Sequence, residues 1–122
     1  MYPIRCRKMQ NDKTIELVDP RGYYISLTQK RWEHYIFPGH LDLTLEDVTQ
    51  TVSDPDLIRD SSQTSSRHVY DRQTNKLFYG GEDKVRVVVA MKGNAGDVIS
   101  AYPRKNLEDG VSEVIHYEKN KL

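Results

Sequence analysis

The chain has 122 residues, of which 37% are hydrophobic and 30% charged, a size that fits one domain with a modest core and excludes two. Basic and acidic side chains balance at 18 each, so net charge names no partner, and no apolar run approaches the roughly 20 residues of a membrane helix. The single cysteine, Cys6, excludes an intramolecular disulfide and, with no signal-like stretch, fits a reducing, cytoplasmic setting.

Residues 1–9 are short and basic, suited to an edge strand or a loosely held arm. Residues 14–18 and 23–27 flank Asp19-Pro20-Arg21-Gly22, with proline and glycine where a turn uses them, and read as a hairpin. The hairpin runs into the stretch around which the chain is organised, residues 27–40 (LTQKRWEHYIFPGH). Thr28 can cap a helix there, Arg31 and Tyr35 share one face, and Trp32 and Ile36 share another. Phe37 before Pro38-Gly39 disfavours helical dihedrals and stops it. A second helix starts at Thr44, where Thr44-Leu45-Glu46-Asp47 has capping-box form with Asp in place of Glu. Leu45, Val48 and Val52 give it one apolar face, and residues 53–56 (SDPD) end it.

Strands follow. Residues 57–59 form a short one and residues 60–66 (DSSQTSS) a polar loop. Residues 67–72 are expected to pair with 76–79 across Gln73-Thr74-Asn75. Residues 84–91 (KVRVVVAM) are the most strongly β stretch, central in the sheet, and residues 97–102 return beside them. The tail from Lys105 is charged, with Val111, Val114 and Ile115 placed for one packed turn. The expected fold is α+β: an N-terminal hairpin and two helices packed on a mainly antiparallel sheet of about four strands. It makes one domain, residues 1–122, with a core at 14–103 and a tail at 104–122.

The balanced charge is unevenly spread. Residues 41–65 hold Asp42, Glu46, Asp47, Asp54, Asp56 and Asp60 against Arg59 alone. Residues 66–92 hold Arg67, Arg72, Lys76, Lys84, Arg86 and Lys92 against Asp71, Glu82 and Asp83, which predicts a locally positive face.

Three motifs in order, RWEH around His34, DPDLIRDS at residues 54–61 and SAYP at 100–103, resemble a family of small phage- and mobile-element-associated nucleases. That family is assigned to the superfold shared by barnase, EndoU, colicin RNase domains and RelE-type toxins. The resemblance spans roughly residues 25–103 and departs at His40, which leads into Leu41-Asp42 rather than Pro-Glu. It implies RNA cleavage without a metal, in a toxin or phage effector, with RNA as partner and a protein antitoxin or inhibitor as a second.

Such cleavage needs a base for the 2′-OH, an acid for the leaving 5′-oxygen and cations around the phosphorane. Histidine serves either proton-transfer role near neutral pH. His34, on the helix, is the first candidate for catalysis; the plain alternative is a structurally bonded helix histidine. His40 and His68 are candidates for substrate contact, or simply a loop and a strand residue, while His116 reads as solvated. Arg59, Arg67, Arg86 and Arg104 can each grip a phosphate, or be ordinary surface arginines. Arg86 alternates with Val85 and Val87 and so projects from the opposite sheet face, which makes it a catalytic candidate. Ser100 and Tyr102 share a face of the last strand and can both bond a phosphate. Tyr70 and Tyr79 can stack bases or fill ordinary sheet positions.

No cofactor is expected. His34 and His40 are six residues apart across a helix stop, with no HExxH-like geometry, and no metal is expected either. No nucleophile elbow or glycine-rich phosphate loop is present. Two readings stay open: a metal-independent endoribonuclease leaving a 2′,3′-cyclic phosphate, and a non-catalytic RNA- or protein-binding module on the same fold.

Overall fold

The computed structural model describes residues 13–120. The expected strand or arm at 1–9, and Cys6 with it, lies outside them. Strands β1 (Thr14–Val18) and β2 (Tyr24–Thr28) form the predicted antiparallel hairpin. Its turn is set by Asp19, whose carboxylate accepts the backbone N–H of Arg21 (2.8 Å) and of Tyr23 (3.1 Å). The turn also needs Gly22, which sits at φ +88°, a conformation that other residues reach only at a cost.

Thr28 caps the next element as expected, accepting from Arg31 N at 3.0 Å. Regular α-helix (α1, Gln29–Arg31) lasts only that one turn. It widens to a π-turn at Trp32–Ile36 and closes with a 3-10 turn at Phe37–Gly39. Pro38 lacks an N–H, and Phe37 N instead bonds back to Trp32 O, which accommodates the wider turn. Helix α2 (Leu45–Ser53) has the full reciprocal cap between Thr44 and Asp47, and it buries Val48 and Val52.

The expected sheet of about four strands is corrected here. The sheet has seven strands in the order β1-β2-β6-β5-β4-β3-β7, and it is mixed because β2 runs parallel to β6. The N-terminal hairpin is therefore part of the sheet rather than an addition to it. The other members are β3 (Leu57–Ser61), β4 (Arg67–Gln73), β5 (Lys84–Lys92), β6 (Ala95–Arg104) and β7 (Val111–Glu118).

Two local expectations also change. β4 pairs with β5, not with residues 76–79. Those residues lie in a loop whose donors go elsewhere: Lys76 N to Thr74 Oγ1 at 3.2 Å, Phe78 N to Glu82 O at 2.8 Å and Tyr79 N to Asp42 Oδ2 at 2.6 Å. Residues 111–118, expected as tail, form an edge strand antiparallel to β3.

Val85, Val87 and Val89 of the central strand alternate onto the face that α2 covers and are fully buried, with Ile58, Tyr70 and Ala101 in the same core. At roughly 1.5–3 kcal/mol for each large aliphatic removed from water, this layer is the main source of stability. Arg86, Val88, Ser100 and Tyr102 fall on the opposite face.

Candidate functional site

On that opposite face a cavity of about 210 Å³ is lined by Ser61, Arg67, Arg86, Ser100 and Tyr102, with Gly110 at its edge. Its walls follow from strand register. Arg86 faces Tyr102 across β5 and β6, and Val88 faces Ser100. A register shift after Val88 leaves Ile99 unpaired and bends β6 beside the cavity.

Arg86 forms the floor and is 1% exposed. Its Nε donates to Asp71 Oδ1 at 2.7 Å and its Nη2 to Asp71 Oδ2 at 3.1 Å, a two-pronged pair. Nη2 also donates to Leu107 O at 3.0 Å, and Nη1 donates to Asp109 O. Burial opposes the charge, but the Asp71 carboxylate and the Tyr102 hydroxyl outweigh it and hold the guanidinium above its ordinary pKa. Arg59 shares the arrangement, donating to Asp71 Oδ2 at 3.1 Å and Leu107 O at 2.7 Å. One buried carboxylate thus organises two guanidinia, and they pin the loop between β6 and β7 against the sheet.

This changes the role of two predicted phosphate ligands. Arg86 spends its donors inside the protein as a positioning group, and Arg59 turns Nη2 to the same interior acceptors while its buried Nε meets no hydrogen-bond partner. Arg67 is exposed on the cavity wall and free to meet an anion. Ser100 and Tyr102 do share a face and both line the cavity. His40, half-buried where the 3-10 turn ends, brings its ring to 6.2 Å from that of Tyr102. His34 stands exposed on the π-turn, and neither it nor His40 is part of the lining. Arg104 lies 3.7 Å from Asp109 and Tyr79 is 89% exposed, both away from the cavity lining.

The structure removes Tyr70 and His68 from the groove. Both alternate onto the helix-covered face and are buried. Tyr70 donates to Asp19 Oδ2 at 2.6 Å and accepts from Arg21 Nη2 at 2.9 Å. At 0% exposure its ring offers no face for a base to stack on, and burial, then the bond to Asp19, pushes its phenol well above the ordinary value. Asp19 in turn is held below the usual carboxylate range: burial opposes this, but bonds from Tyr70, Arg21 and the Tyr23 N–H prevail.

His68 belongs to a second cluster. Its Nδ1 lies 3.1 Å from Arg21 Nη1, and its Nε2 lies 3.6 Å from Asp60 Oδ1. His116, from β7, stacks on it at 4.1 Å and reaches the same Asp60 oxygen with Nε2 at 2.6 Å. Burial first, then the neighbouring His116 and Arg21, lowers His68 to about 4, leaving its imidazole neutral at physiological pH. His116 is exposed, as the sequence suggested, but it is not a lone surface residue: one side of its ring packs into a three-residue cluster. The sequence reading missed Asp60, Asp71, Asp19 and Arg21 because each acquires its role only through long-range pairing. The available signal was alternation, which sets Asp71 and Arg86 on the same side of their strands.

No helix among the described residues is long and apolar enough to cross a membrane. Comparison with protein-family models, with curated proteins and with solved structures finds no match to this chain.

Proposed function

We propose that the chain is a small metal-independent endoribonuclease working in the groove over Arg86. The observation that carries this reading is the position of Tyr102. Its side chain sits beside the buried guanidinium of Arg86, in one cavity with Ser100 and Arg67, and its ring is 6.2 Å from that of His40. A hydroxyl donor and a free cation thus share a concave surface large enough for a phosphodiester, and a proton acceptor, His40, stands outside its lining but beside Tyr102, in the neighbouring pocket with Pro38 and Pro103. The resemblance of RWEH, DPDLIRDS and SAYP to phage-associated nucleases supports the same reaction.

In this scheme His40 takes the proton of the ribose 2′-OH, and the 2′-oxygen attacks phosphorus. The bond from phosphorus to the 5′-oxygen breaks, and the leaving oxygen receives a proton from Tyr102. The products are a 2′,3′-cyclic phosphate and a 5′-hydroxyl. Arg67 balances the charge of the phosphorane and Ser100 bonds a non-bridging oxygen. Arg86 sets the tilt of Tyr102 rather than touching phosphate. His34, the first candidate from sequence, lies outside this geometry.

A second reading is favoured by one observation: the donors of Arg86 go to Asp71 and to loop carbonyls. A guanidinium so occupied suits a rigid platform that binds RNA or a protein without cutting. Incubating purified protein with a mixed-sequence fluorogenic RNA in EDTA separates the two. Cleavage to cyclic-phosphate ends that is lost in His40→Gln and Tyr102→Phe supports the nuclease. RNA retained on the protein but left uncut assigns the binding role.

A further inference from the structure

The groove leaves the second cluster unexplained. Asp60, His68 and His116 come from three strands, β3, β4 and β7, yet one ligating atom from each lies within 4.8 Å of the others. We propose that these three side chains form a binding site for a first-row transition-metal dication, with at least one open coordination position.

The donor set argues the class of ion. Two imidazoles and one carboxylate suit Zn²⁺ or a neighbouring transition metal, whereas Ca²⁺ and Mg²⁺ take oxygen ligands. Three protein ligands with a position left for water is the arrangement of catalytic rather than structural zinc. Both imidazoles turn Nε2 toward the same oxygen, Asp60 Oδ1, at 3.6 Å from His68 and 2.6 Å from His116. Ligands about 2.0–2.2 Å from zinc in a tetrahedron are themselves about 3.3 Å apart, a value these two distances bracket. Asp60 and His68 are nearly buried, with side chains 12% and 11% exposed, while His116 at 30% leaves one side open to water.

Two adjustments are required. The rings stack with 24° between their planes, so each must turn about its second side-chain torsion, a broad and soft one in histidine. A metal on Nε2 of His68 also leaves the ring proton on Nδ1, where Arg21 Nη1 now points. Arg21 must swing aside, and Asp19, its present partner at 2.8 Å, is the carboxylate behind it. The cation at position 21 therefore opposes the ion. His68 alternates with Arg67 and Val69, which line the groove, so the ion lies across the sheet from the RNA-cleaving surface.

The probe is Zn²⁺ alone, titrated calorimetrically into EDTA-stripped, dialysed protein, with Co²⁺ absorption reporting the ligand geometry. We expect about one Zn²⁺ per chain. Affinity falls at least 10-fold in His116→Gln and in Asp60→Asn, stays at the parent value in His34→Gln and His40→Gln, and rises in Arg21→Ala. His116→Gln alters a partly exposed edge-strand residue and decides the matter if Asp60→Asn fails to fold. Absence of saturable binding up to about 100 μM Zn²⁺, or unchanged affinity in His116→Gln, overturns the site. Because the RNA assay runs in EDTA, failure here leaves the nuclease reading standing, and failure there leaves the site standing.

Discussion

Arg86 and Asp71 meet face to face beneath the groove, both almost wholly removed from water and joined by two hydrogen bonds of 2.7 and 3.1 Å. Deleting one member of such a pair leaves an uncompensated buried charge, which typically costs about 3–5 kcal/mol. Asp71→Ala is expected to lose stability of that order in urea denaturation. Arg86→Met with Asp71→Leu in one chain should lose less than the sum of the single changes. Additive losses would mean that the pair is not a unit.

For catalysis, the groove geometry distinguishes two histidines. General acid–base help is worth about 10²–10⁴ in rate, so His40→Ala should lose at least about 100-fold in RNA cleavage. His34→Ala should cut at close to the parent rate while melting normally. The opposite outcome would return catalysis to the π-turn.

Stability should depend on pH through His68. Its folded value is about 4 against an ordinary 6.5, so the unfolded chain binds the proton first as pH falls. The contribution is fully present above about pH 6.5 and is lost progressively toward pH 4. Asp19, also depressed when folded from an ordinary 3.8, adds a further loss only below that window. Thermal melts of metal-free protein between pH 7.5 and 4 should show the decline, and His68→Asn should flatten its upper part. A melting temperature constant over that range in the parent would contradict the assignment.

The cap of α2 gives a smaller, local test. Thr44 and Asp47 exchange bonds of 3.0 and 2.9 Å, and removing such a cap costs about 0.5–2 kcal/mol. Thr44→Ala should fall in that range, with Thr44→Ser near the parent. A neutral Thr44→Ala would mean that packing of Val48 and Val52 alone holds the helix.

Local chemistry accounts for what was readable beforehand. Asp19-Pro20-Arg21-Gly22 announces its turn, Thr44 its cap, and the valines of β5 a central strand, because each signal lies within a few residues. What depends on pairing was hidden. The parallel contact of β2 with β6 joins residues about 70 positions apart, and no local pattern encodes it. β7 has too few apolar residues in a charged background to stand out, and Val114 and Ile115 remain half-exposed in it. Residues 76–79 looked like a strand by composition, yet their donors found closer partners in Thr74, Glu82 and Asp42. In the groove, alternation paired Ser100 with Tyr102 and set Arg86 opposite Val85 and Val87, but only the β5–β6 register joins the three on one face. That Asp71 claims Arg86 follows only from the β4–β5 register.

The parallel contact of β2 with β6 also orders events in time. It covers only Tyr24↔Ala95 to Ser26↔Asp97, and closing so long a loop costs entropy before any reward arrives. The β4–β5–β6 meander closes much shorter loops, residues 74–83 and 93–94, and presents β6 as a ready edge. On this ground the N-terminal hairpin is expected to dock last and leave first. Amide hydrogens of β1 and β2 should accordingly exchange by partial opening, ahead of those in β5. Since Arg21 and Asp19 sit in that hairpin's turn, each opening briefly uncovers His68 and Tyr70, and the interior proton network gains a route to water without global unfolding.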